Sequence, residues 1–321
     1  MKIPEIGKAA VLGGGLIGSS WAANFLWKGV SVNIYDISAE ALETTRNRIR
    51  ENLEYLVSKG VLTAGEMNVA LGLAKYTLSL AEAVKDVQFL QESVLEKYEV
   101  KQALLAEVDK HAPADAVFAS STSGLLITEI AKDSEHPERC LGAHPYNPPH
   151  LIPLVEISRG QKTSEDTVKR TCDFYRSLGK EPIVLRKEAL GFISNRLSMA
   201  LYREAVDLVM RGVCSVEDID KAVNFGPGLR YALMGPNLIY QLGGGPHGIH
   251  GLLKHVENSV ELWWEDMAAW KKWPPGWYET AQEGVNIEMA NRPPEQGRTN
   301  EEIARWRDDG LIEILKFLKK I

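Results

Sequence analysis

The feature that most constrains the fold of this 321-residue chain is a glycine-rich segment. It lies between an apolar stretch and a helical pattern. Residues 9–12 are small and apolar, which is typical of a buried parallel strand. The loop that follows consists of Gly13, Gly14, Gly15, Leu16, Ile17 and Gly18. Its G-x-G-x-x-G spacing permits a tight turn, close approach of a pyrophosphate and close packing of the next helix. We therefore expect a dinucleotide-binding strand–loop–helix unit.

A second strand pattern, residues 30–35, ends in an acidic residue. Asp36 follows the last glycine of the loop by 18 positions, where an acid holds the 2′-hydroxyl of a ribose. Its negative charge would repel the 2′-phosphate of NADP, so we expect NAD as the cofactor. A glycine-rich turn in an unrelated α/β protein is the alternative interpretation.

Strand and helix patterns alternate up to about residue 187, and helical patterns dominate beyond it. Helices predicted over 37–59 and from 63 to about 73 suggest a helical hairpin inserted in the first half. The predicted fold is a Rossmann-type, mostly parallel α/β sheet with this insertion, plus an all-α C-terminal domain. We place an NAD-binding domain at 1–187 and a helical substrate and dimerisation domain at 188–321. The later helices are predicted over 193–211, 216–224, 237–241, 249–264 and 300–320.

Charge and composition narrow the class of partner. The net charge of −6 gives no basic surface for nucleic acid or an anionic membrane, so we expect a small-molecule substrate. Residues 1–5 show no apolar signal core, and no run approaches 18 apolar residues, which predicts a soluble, cytoplasmic protein. The three cysteines are widely spaced, which favours reduced thiols and predicts no metal site.

Polar residues follow two predicted strands in the first domain. Ser121, Thr122 and Ser123 come after a buried strand over 116–120, where open α/β sheets bind ligands, although they could also cap a helix. His144 lies at a strand end, and Glu156 interrupts an apolar strand. A lone buried histidine is usually structural, but a buried carboxylate needs a partner, and a His–Glu pair both satisfies it and orients an imidazole for proton transfer.

These motifs, in this order, resemble the 3-hydroxyacyl-CoA dehydrogenase superfamily over nearly the whole chain. Within it, residues 121–126, 225–231 and 305–309 are most similar to the L-carnitine dehydrogenase branch. The lambda-crystallin/L-gulonate dehydrogenase branch is next, and the acyl-CoA enzymes are more distant. The resemblance implies NAD-dependent oxidation of the 3-hydroxyl of a small L-3-hydroxy acid by a homodimer. L-Gulonate or a 3-hydroxyacyl-CoA is the alternative substrate, and a crystallin-like structural role is the alternative function.

The resemblance also implies roles for single residues. His144 would be the general base and Glu156 its orienting partner, while Ser123 and Asn195 would hydrogen-bond the reacting oxygen. Asn195 could instead be a helix cap. The remaining expected contacts are Glu96, Lys101 and Ser121 with the cofactor and Tyr146 with the substrate.

The C-terminal half contains the residues expected to decide the substrate. Arg230 suits a free carboxylate, unless an acidic residue of the chain pairs with it. Residues 263–277 hold five of the eight tryptophans, which could form a cage for a quaternary ammonium or a core or subunit interface. Three histidines at 247, 250 and 255 lack the accompanying ligands of a zinc site.

Overall fold

An eight-stranded sheet forms the centre of the first part of the chain in the computed structural model, which describes residues 6–321. The expectation that residues 1–5 contain no signal core lies outside the described residues. In chain order the strands are β1 (Lys8–Leu12), β2 (Ser31–Tyr35), β3 (Ala74–Thr77), β4 (Phe89–Glu92), β5 (Val117–Ser120), β6 (Cys140–Pro145), β7 (Leu154–Arg159) and β8 (Glu181–Val184).

The strand order across the sheet is β3-β2-β1-β4-β5-β6-β7-β8. All neighbouring pairs are parallel except β6 and β7, which are antiparallel. In that antiparallel register His144 lies directly opposite Glu156. The mostly parallel Rossmann-type sheet predicted from the sequence is therefore confirmed, and the two residues predicted to pair are brought side by side by the strand register.

Fourteen α-helices occur among the described residues. In the first half they are α1 (Leu16–Trp27), α2 (Ala39–Ser58), α3 (Ala64–Gly72), α4 (Leu80–Val84), α5 (Tyr98–His111), α6 (Ile127–Ile130) and α7 (Glu165–Ser177). In the second half they are α8 (Ser194–Met210), α9 (Val216–Phe225), α10 (Pro227–Tyr231), α11 (Pro236–Gly243), α12 (Gly248–Asp266), α13 (Trp277–Asn291) and α14 (Asn300–Phe317). Short 3₁₀ turns lie at Pro137–Arg139, Gly245–His247 and Pro294–Gln296.

The predicted helical hairpin is formed by α2 and α3. Thr63 caps α3, and its side chain and that of Glu66 form the reciprocal hydrogen bonds of a capping box. Helix α13 was not predicted, because the proline-rich connection before it shows no helical pattern. No helix among residues 6–321 is long and apolar enough to cross a membrane.

Helices pack against apolar side chains on both faces of the sheet. One cluster includes Trp21, Phe25, Phe89 and Tyr175, whose rings contact one another at centroid distances between 5.3 and 6.3 Å. The other includes Leu12, Leu90, Leu105 and Phe118. Alternate residues of the central strands thus face opposite layers, as expected of a parallel sheet that is buried on both sides.

The described chain divides into two compact units. One contains the residues up to Asn195 together with Asp309–Ile321, and the other is Arg196–Asp308. The predicted boundary near residue 188 differs from this division, since the C-terminal segment belongs to the first unit. Its Ile312 and Leu315 are buried in the first unit's core, and Asp309 accepts a hydrogen bond from the Tyr55 hydroxyl at 2.7 Å.

Candidate active site

The glycine loop joins β1 to α1, and its glycines serve different purposes. Gly13 has a φ of 91°, and a Cβ there would lie 2.8 Å from the Ser93 carbonyl oxygen. A Cβ on Gly18 would lie 1.8 Å from the Gly13 carbonyl oxygen. Around Gly15, by contrast, no atom of the described residues other than those of its two chain neighbours lies within 4 Å of a Cβ position. The protein's own packing requires the first and last of these glycines, whereas Gly15 leaves open space that fits an approaching pyrophosphate.

Asp36 follows β2 and is fixed beside this loop. Its Oδ2 accepts a hydrogen bond from the Gly14 amide at 2.8 Å, and its Oδ1 accepts one from the Ile37 amide at 2.8 Å. Thr45, which was not predicted as a site residue, donates a hydrogen bond from Oγ1 to the Gly14 carbonyl oxygen at 3.0 Å. Gly14, Asp36 and Ser38 are among the residues that line a cavity of about 280 Å³. This arrangement fits the adenosine end of a dinucleotide.

Lys101 is held in a buried ion pair. Its Nζ lies 2.7 Å from Glu92 Oε1 and 3.2 Å from Glu96 Oε2, and its side chain is 1% exposed. Direct contact between Lys101 and a ribose was expected, but its ammonium group is not open to a ligand. The Glu96 side chain is 42% exposed. Of these two predicted cofactor contacts, only Glu96 is therefore accessible.

Glu96 also fixes the turn after β5. Its Oε1 accepts hydrogen bonds from the Thr122 hydroxyl at 2.6 Å and from the Ser123 amide at 2.7 Å. The Ser121 hydroxyl accepts a hydrogen bond from Gln91 Nε2 at 2.9 Å. The Ser123 side chain makes no hydrogen bond to the described residues and is exposed. The serine cluster therefore contains fixed members and one free hydroxyl.

His144 and Glu156 form the predicted pair on adjacent strands. Nδ1 of His144 lies 2.8 Å from Glu156 Oε2, and both side chains are buried. The His144 ring also packs on Phe192, with the centroids 5.5 Å apart. Because Nδ1 is occupied by the carboxylate, Nε2 is the ring nitrogen available to a bound molecule.

Glu156 has further hydrogen-bond donors just before and at the start of α8, which were not predicted from the sequence. Its Oε1 accepts hydrogen bonds from the amides of Ile193 and Ser194, each at 2.9 Å, and its Oε2 accepts one from the Ser194 hydroxyl. Burial alone raises the pKa of the Glu156 carboxyl, but the hydrogen bonds from His144, Ser194 and the two amides outweigh it and lower the pKa to about 2. Glu156 is thus a carboxylate at neutral pH.

One cavity of about 240 Å³ brings most of the predicted catalytic and substrate residues together. Asn195 is positioned there by a hydrogen bond from its Nδ2 to the Ser123 carbonyl oxygen at 2.9 Å. Ile17, from the first turn of α1, lines the same cavity. The residues predicted from the sequence that line it are Ile17, Ser121, Ser123, His144, Tyr146 and Asn195. The cavity therefore joins the glycine loop to the buried histidine–carboxylate pair.

Arg230 lies in the second compact unit, in α10. Its side chain is exposed and makes no ion pair or hydrogen bond with the described residues. The alternative that an acidic residue of this chain neutralises it is therefore not supported by the structure.

The tryptophan-rich segment does not form one cage. Trp263 and Trp264 are exposed on α12, whereas Trp277 is buried. Trp270 and Trp273 contact each other with ring centroids 5.9 Å apart. This pair lines a cavity together with two arginines and two lysines, a setting that repels a quaternary ammonium. No group of three or more potential metal ligands occurs among residues 6–321.

Sequence comparisons match both parts of the chain to one family. Residues 8–189 match "3-hydroxyacyl-CoA dehydrogenase, NAD binding domain", and residues 191–275 match "3-hydroxyacyl-CoA dehydrogenase, C-terminal domain". The chain is 36% identical to an L-carnitine dehydrogenase of Pseudomonas putida, covering 99% of this chain and 95% of that protein. It is 38% identical to an L-carnitine dehydrogenase of Streptomyces griseus, covering 97% of this chain and 90% of that protein.

The chain is also similar to solved structures of dehydrogenases. A 5-formyl-3-hydroxy-2-methylpyridine 4-carboxylic acid 5-dehydrogenase, described as an NAD⁺-dependent dismutase, has a TM-score of 0.80 at 29% identity and covers 98% of both chains. An (S)-3-hydroxybutyryl-CoA dehydrogenase from Ralstonia eutropha has a TM-score of 0.66 at 25% identity, covering 92% of this chain and 98% of that one. The chain belongs to the 3-hydroxyacyl-CoA dehydrogenase family and is an NAD-dependent dehydrogenase.

Proposed function

We propose that this protein oxidises the 3-hydroxyl of a small L-3-hydroxy acid to the 3-oxo acid, with L-carnitine as the first candidate substrate. The observation that carries the proposal is the 2.8 Å contact between Nδ1 of His144 and the buried Glu156, since His144 also lines the cavity that contains Ser123 and Asn195. The 36–39% identity to several L-carnitine dehydrogenases over most of the chain supports the choice of substrate.

His144 acts as the general base in this proposal. Glu156 is ionised and accepts a hydrogen bond from the N–H at Nδ1, which leaves the lone pair on Nε2 to receive the hydroxyl proton of the substrate. When Nε2 is protonated, the adjacent carboxylate stabilises the imidazolium that forms. The Ile193 and Ser194 amides keep Glu156 in place, so the imidazole is oriented before the substrate binds.

Ser123 and Asn195 position the reacting oxygen. The Ser123 hydroxyl is free to donate a hydrogen bond, since only its backbone atoms are engaged by Glu96 and Asn195. Neutral donors fixed before the reaction stabilise charge that develops on an oxygen. The Asn195 amide has a second N–H beyond the one that contacts Ser123, and we assign it the same role.

The chemistry that bound NAD would supply is a nicotinamide acceptor for the hydride from C3 of the substrate. The open space at Gly15 and the fixed carboxylate of Asp36 fit its pyrophosphate and adenosine ribose. Leu16, Ile17 and Gly18 begin helix α1, and the free amides of this first turn would hold the phosphates. Glu96, which is accessible beside Ser123, holds the other ribose, and Lys101 contributes by fixing Glu96.

Arg230 binds the substrate carboxylate in this proposal. It is exposed, permanently charged and without an acidic partner among the described residues, and arginine can grip a carboxylate with two parallel hydrogen bonds. Arg230→Met should raise KM for the acid by tens- to hundreds-fold, which corresponds to roughly 2–3 kcal/mol, with a smaller effect on kcat.

The substrate is tested by following NADH formation with a panel of hydroxy acids. L-Carnitine, L-gulonate, 3-hydroxybutyrate and 3-hydroxybutyryl-CoA are compared by kcat/KM, with wild type and Arg230→Met. We expect a free acid to be preferred and the preference to fall in the variant. A wild-type enzyme that prefers the CoA thioester to every free acid, or an unchanged KM in the variant, would contradict the small-acid assignment.

The proposed assembly is a homodimer formed through residues 196–308. Only three apolar residues of this unit are buried, namely Val206, Ile239 and Trp277. Many of its large apolar side chains are exposed, which is typical of a surface that a second copy covers. We also propose a reducing compartment such as the cytoplasm, because the three cysteines, at 140, 172 and 214, are free.

A further inference from the structure

A cavity of about 480 Å³ within the second compact unit has an unusual lining. One side comes from the first turns of α8 and the other from the segment that follows α12. The side chains that give it its character are Arg196, Arg203, Trp270, Lys271, Lys272 and Trp273. It thus combines four positive charges with two indole rings.

Three acidic side chains connect the end of α12 and the segment after it to α8 and to Arg211, which directly follows α8. Glu204 accepts a hydrogen bond from the Ala268 amide at 2.9 Å, and Asp207 accepts one from the Trp270 indole N–H at 3.2 Å. Arg211 binds Asp266 through two nitrogens, each at 3.0 Å. Specific contacts therefore hold the wall of the cavity in place, and the carboxylates of Glu204, Asp207 and Asp266 make them.

The four cations of the cavity have no acidic partner among the described residues. Neither arginine and neither lysine makes an ion pair or a side-chain hydrogen bond there, although residues 196–308 contain 16 acidic and 12 basic side chains. A third of the basic side chains of an acidic unit thus lie around one cavity. Like charges in such proximity repel one another, and a bound anion relieves that repulsion.

The two indoles add a planar, apolar surface to this charge. Trp270 and Trp273 have ring centroids 5.9 Å apart at an interplanar angle of 47°, and Tyr202 contacts Trp273 at 5.9 Å. Asp207 fixes the Trp270 ring, so the surface exists before a ligand binds. Aromatic rings stack on such surfaces in offset or tilted geometry.

We propose that this cavity is a binding site for an organic dianion carried on a planar ring, either a phosphate ester or a dicarboxylate. The arginines bind the anionic group with paired hydrogen bonds, the lysines add charge, and the ring packs on the two tryptophans. The site is separate from the proposed catalytic cavity, whose lining residues all belong to the first compact unit.

Isothermal titration calorimetry with four compounds tests the site, because the compounds separate the contribution of the aromatic ring from that of the negative charge. Phenyl phosphate and phthalate carry both features, inorganic phosphate carries only the charge, and phenyltrimethylammonium carries the same ring with a positive charge. Saturating NAD is present throughout, so that the dinucleotide site is filled. We expect phenyl phosphate or phthalate to bind more tightly than the other two, and comparison of the pair identifies the preferred anion.

Lys271→Gln/Lys272→Gln should weaken that binding about tenfold, because two charges are lost. Lys271→Arg/Lys272→Arg should retain it, and Lys85→Gln/Lys187→Gln, which removes two exposed lysines of the first unit, should leave it unchanged. In wild type, raising the salt concentration should weaken the binding as well. The proposal is overturned if neither ring dianion binds, if the glutamine pair or salt leaves binding unchanged, or if phenyltrimethylammonium binds more tightly.

Discussion

Glu156 lies on β7, next to the edge strand of the sheet, and accepts hydrogen bonds from four donors. A carboxylate without water needs such donors, and each one favours the ionised form. Two of the four come from Ser194, through its amide and its hydroxyl. The His144 tautomer therefore depends on the first turn of α8 as well as on the strand register.

Glu156→Gln should lower kcat by roughly two to four orders of magnitude, with little change in NAD affinity. The glutamine amide can donate to Nδ1 of His144, which moves the proton to Nε2 and removes the base. Steady-state kinetics and NAD titration measure the two effects. Ser194→Ala is the matched control, because it removes one donor to Glu156 but keeps the carboxylate, and its kcat should fall much less. Equal kcat values for wild type and Glu156→Gln would end the assignment of His144 as an oriented base.

Gly15→Ala and Gly18→Ala should affect different properties: the first should lower the affinity for NAD, and the second should lower the stability of the fold. Gly15 has open space at its Cβ position, so the alanine variant should fold with an unchanged melting temperature but bind NAD much more weakly. A Cβ on Gly18 meets a backbone oxygen at 1.8 Å, so that variant should lose stability. Thermal unfolding and NAD titration separate the cases, and normal NAD affinity in Gly15→Ala would show that the cofactor does not approach this glycine.

The loop that connects β6 to β7 lies beside the catalytic cavity, and contacts with neighbouring elements hold it in place. Lys180 lies just before β8, and its Nζ donates hydrogen bonds to the carbonyl oxygens of Pro149 and, at 3.1 Å, Ile152. Ser20 of α1 binds His150 twice, through the Nδ1 atom and the amide, both at 2.8 Å. The loop is thus fixed to the dinucleotide helix and to the sheet edge.

Lys180 should make the stability of this connection depend on pH. Burial, with a smaller effect from the nearby Lys28 charge, lowers the pKa of Lys180 to about 7 from its ordinary 10.5. Between these values the unfolded chain binds more protons than the folded one, so the contribution of Lys180 to stability rises with pH. The difference in unfolding free energy between wild type and Lys180→Met should grow from pH 7 to 9, by at most about 1.4 kcal/mol per pH unit.

Urea unfolding at several pH values measures this difference. Lys85→Met, which removes an exposed lysine, is the control and should show no comparable trend. A difference between wild type and Lys180→Met that stays constant over this range would mean that the buried amine does not release its proton in the folded state.

The sequence predicted the elements better than their connections. Local patterns identify strands such as Leu154–Arg159, but strand direction depends on what joins them. Only residues 146–153 link β6 to β7, which is too short for a parallel crossover, so the antiparallel pair was predictable from loop length. Helix α13 follows a connection with two prolines and had no comparable signal.

In the candidate active site, too, features encoded by a local pattern were predictable from the sequence, whereas contacts between distant residues were not. His144 and Glu156 were predictable because a carboxylate in an apolar strand requires a partner. The role of Ser194 was not, because its contact with Glu156 spans 38 positions and depends on how the chain returns to the sheet. Lys101 was expected to face the cofactor, but no local pattern reveals that Glu92 holds it in the interior.

The whole molecule combines a well-filled first unit with a second unit that buries little of its own apolar surface. Helices α11 and α12 carry large apolar side chains that are between 49% and 68% exposed. They are Leu238, Leu242, Leu253, Leu262, Trp263 and Trp264. A stable dimer buries about 800 Å² on each partner, with an apolar centre, and surfaces of this kind supply it.

Light scattering at micromolar concentration should therefore give twice the 35.7 kDa mass of one chain. Leu242→Glu should shift the equilibrium towards monomer, because a two-fold contact places both new charges in the same apolar interface. Val69→Glu, which adds a charge at an equally exposed position on α3 in the first unit, should leave the dimer intact. A monomeric wild type would contradict the proposed assembly, and dissociation by Val69→Glu but not by Leu242→Glu would place the interface on the first unit instead.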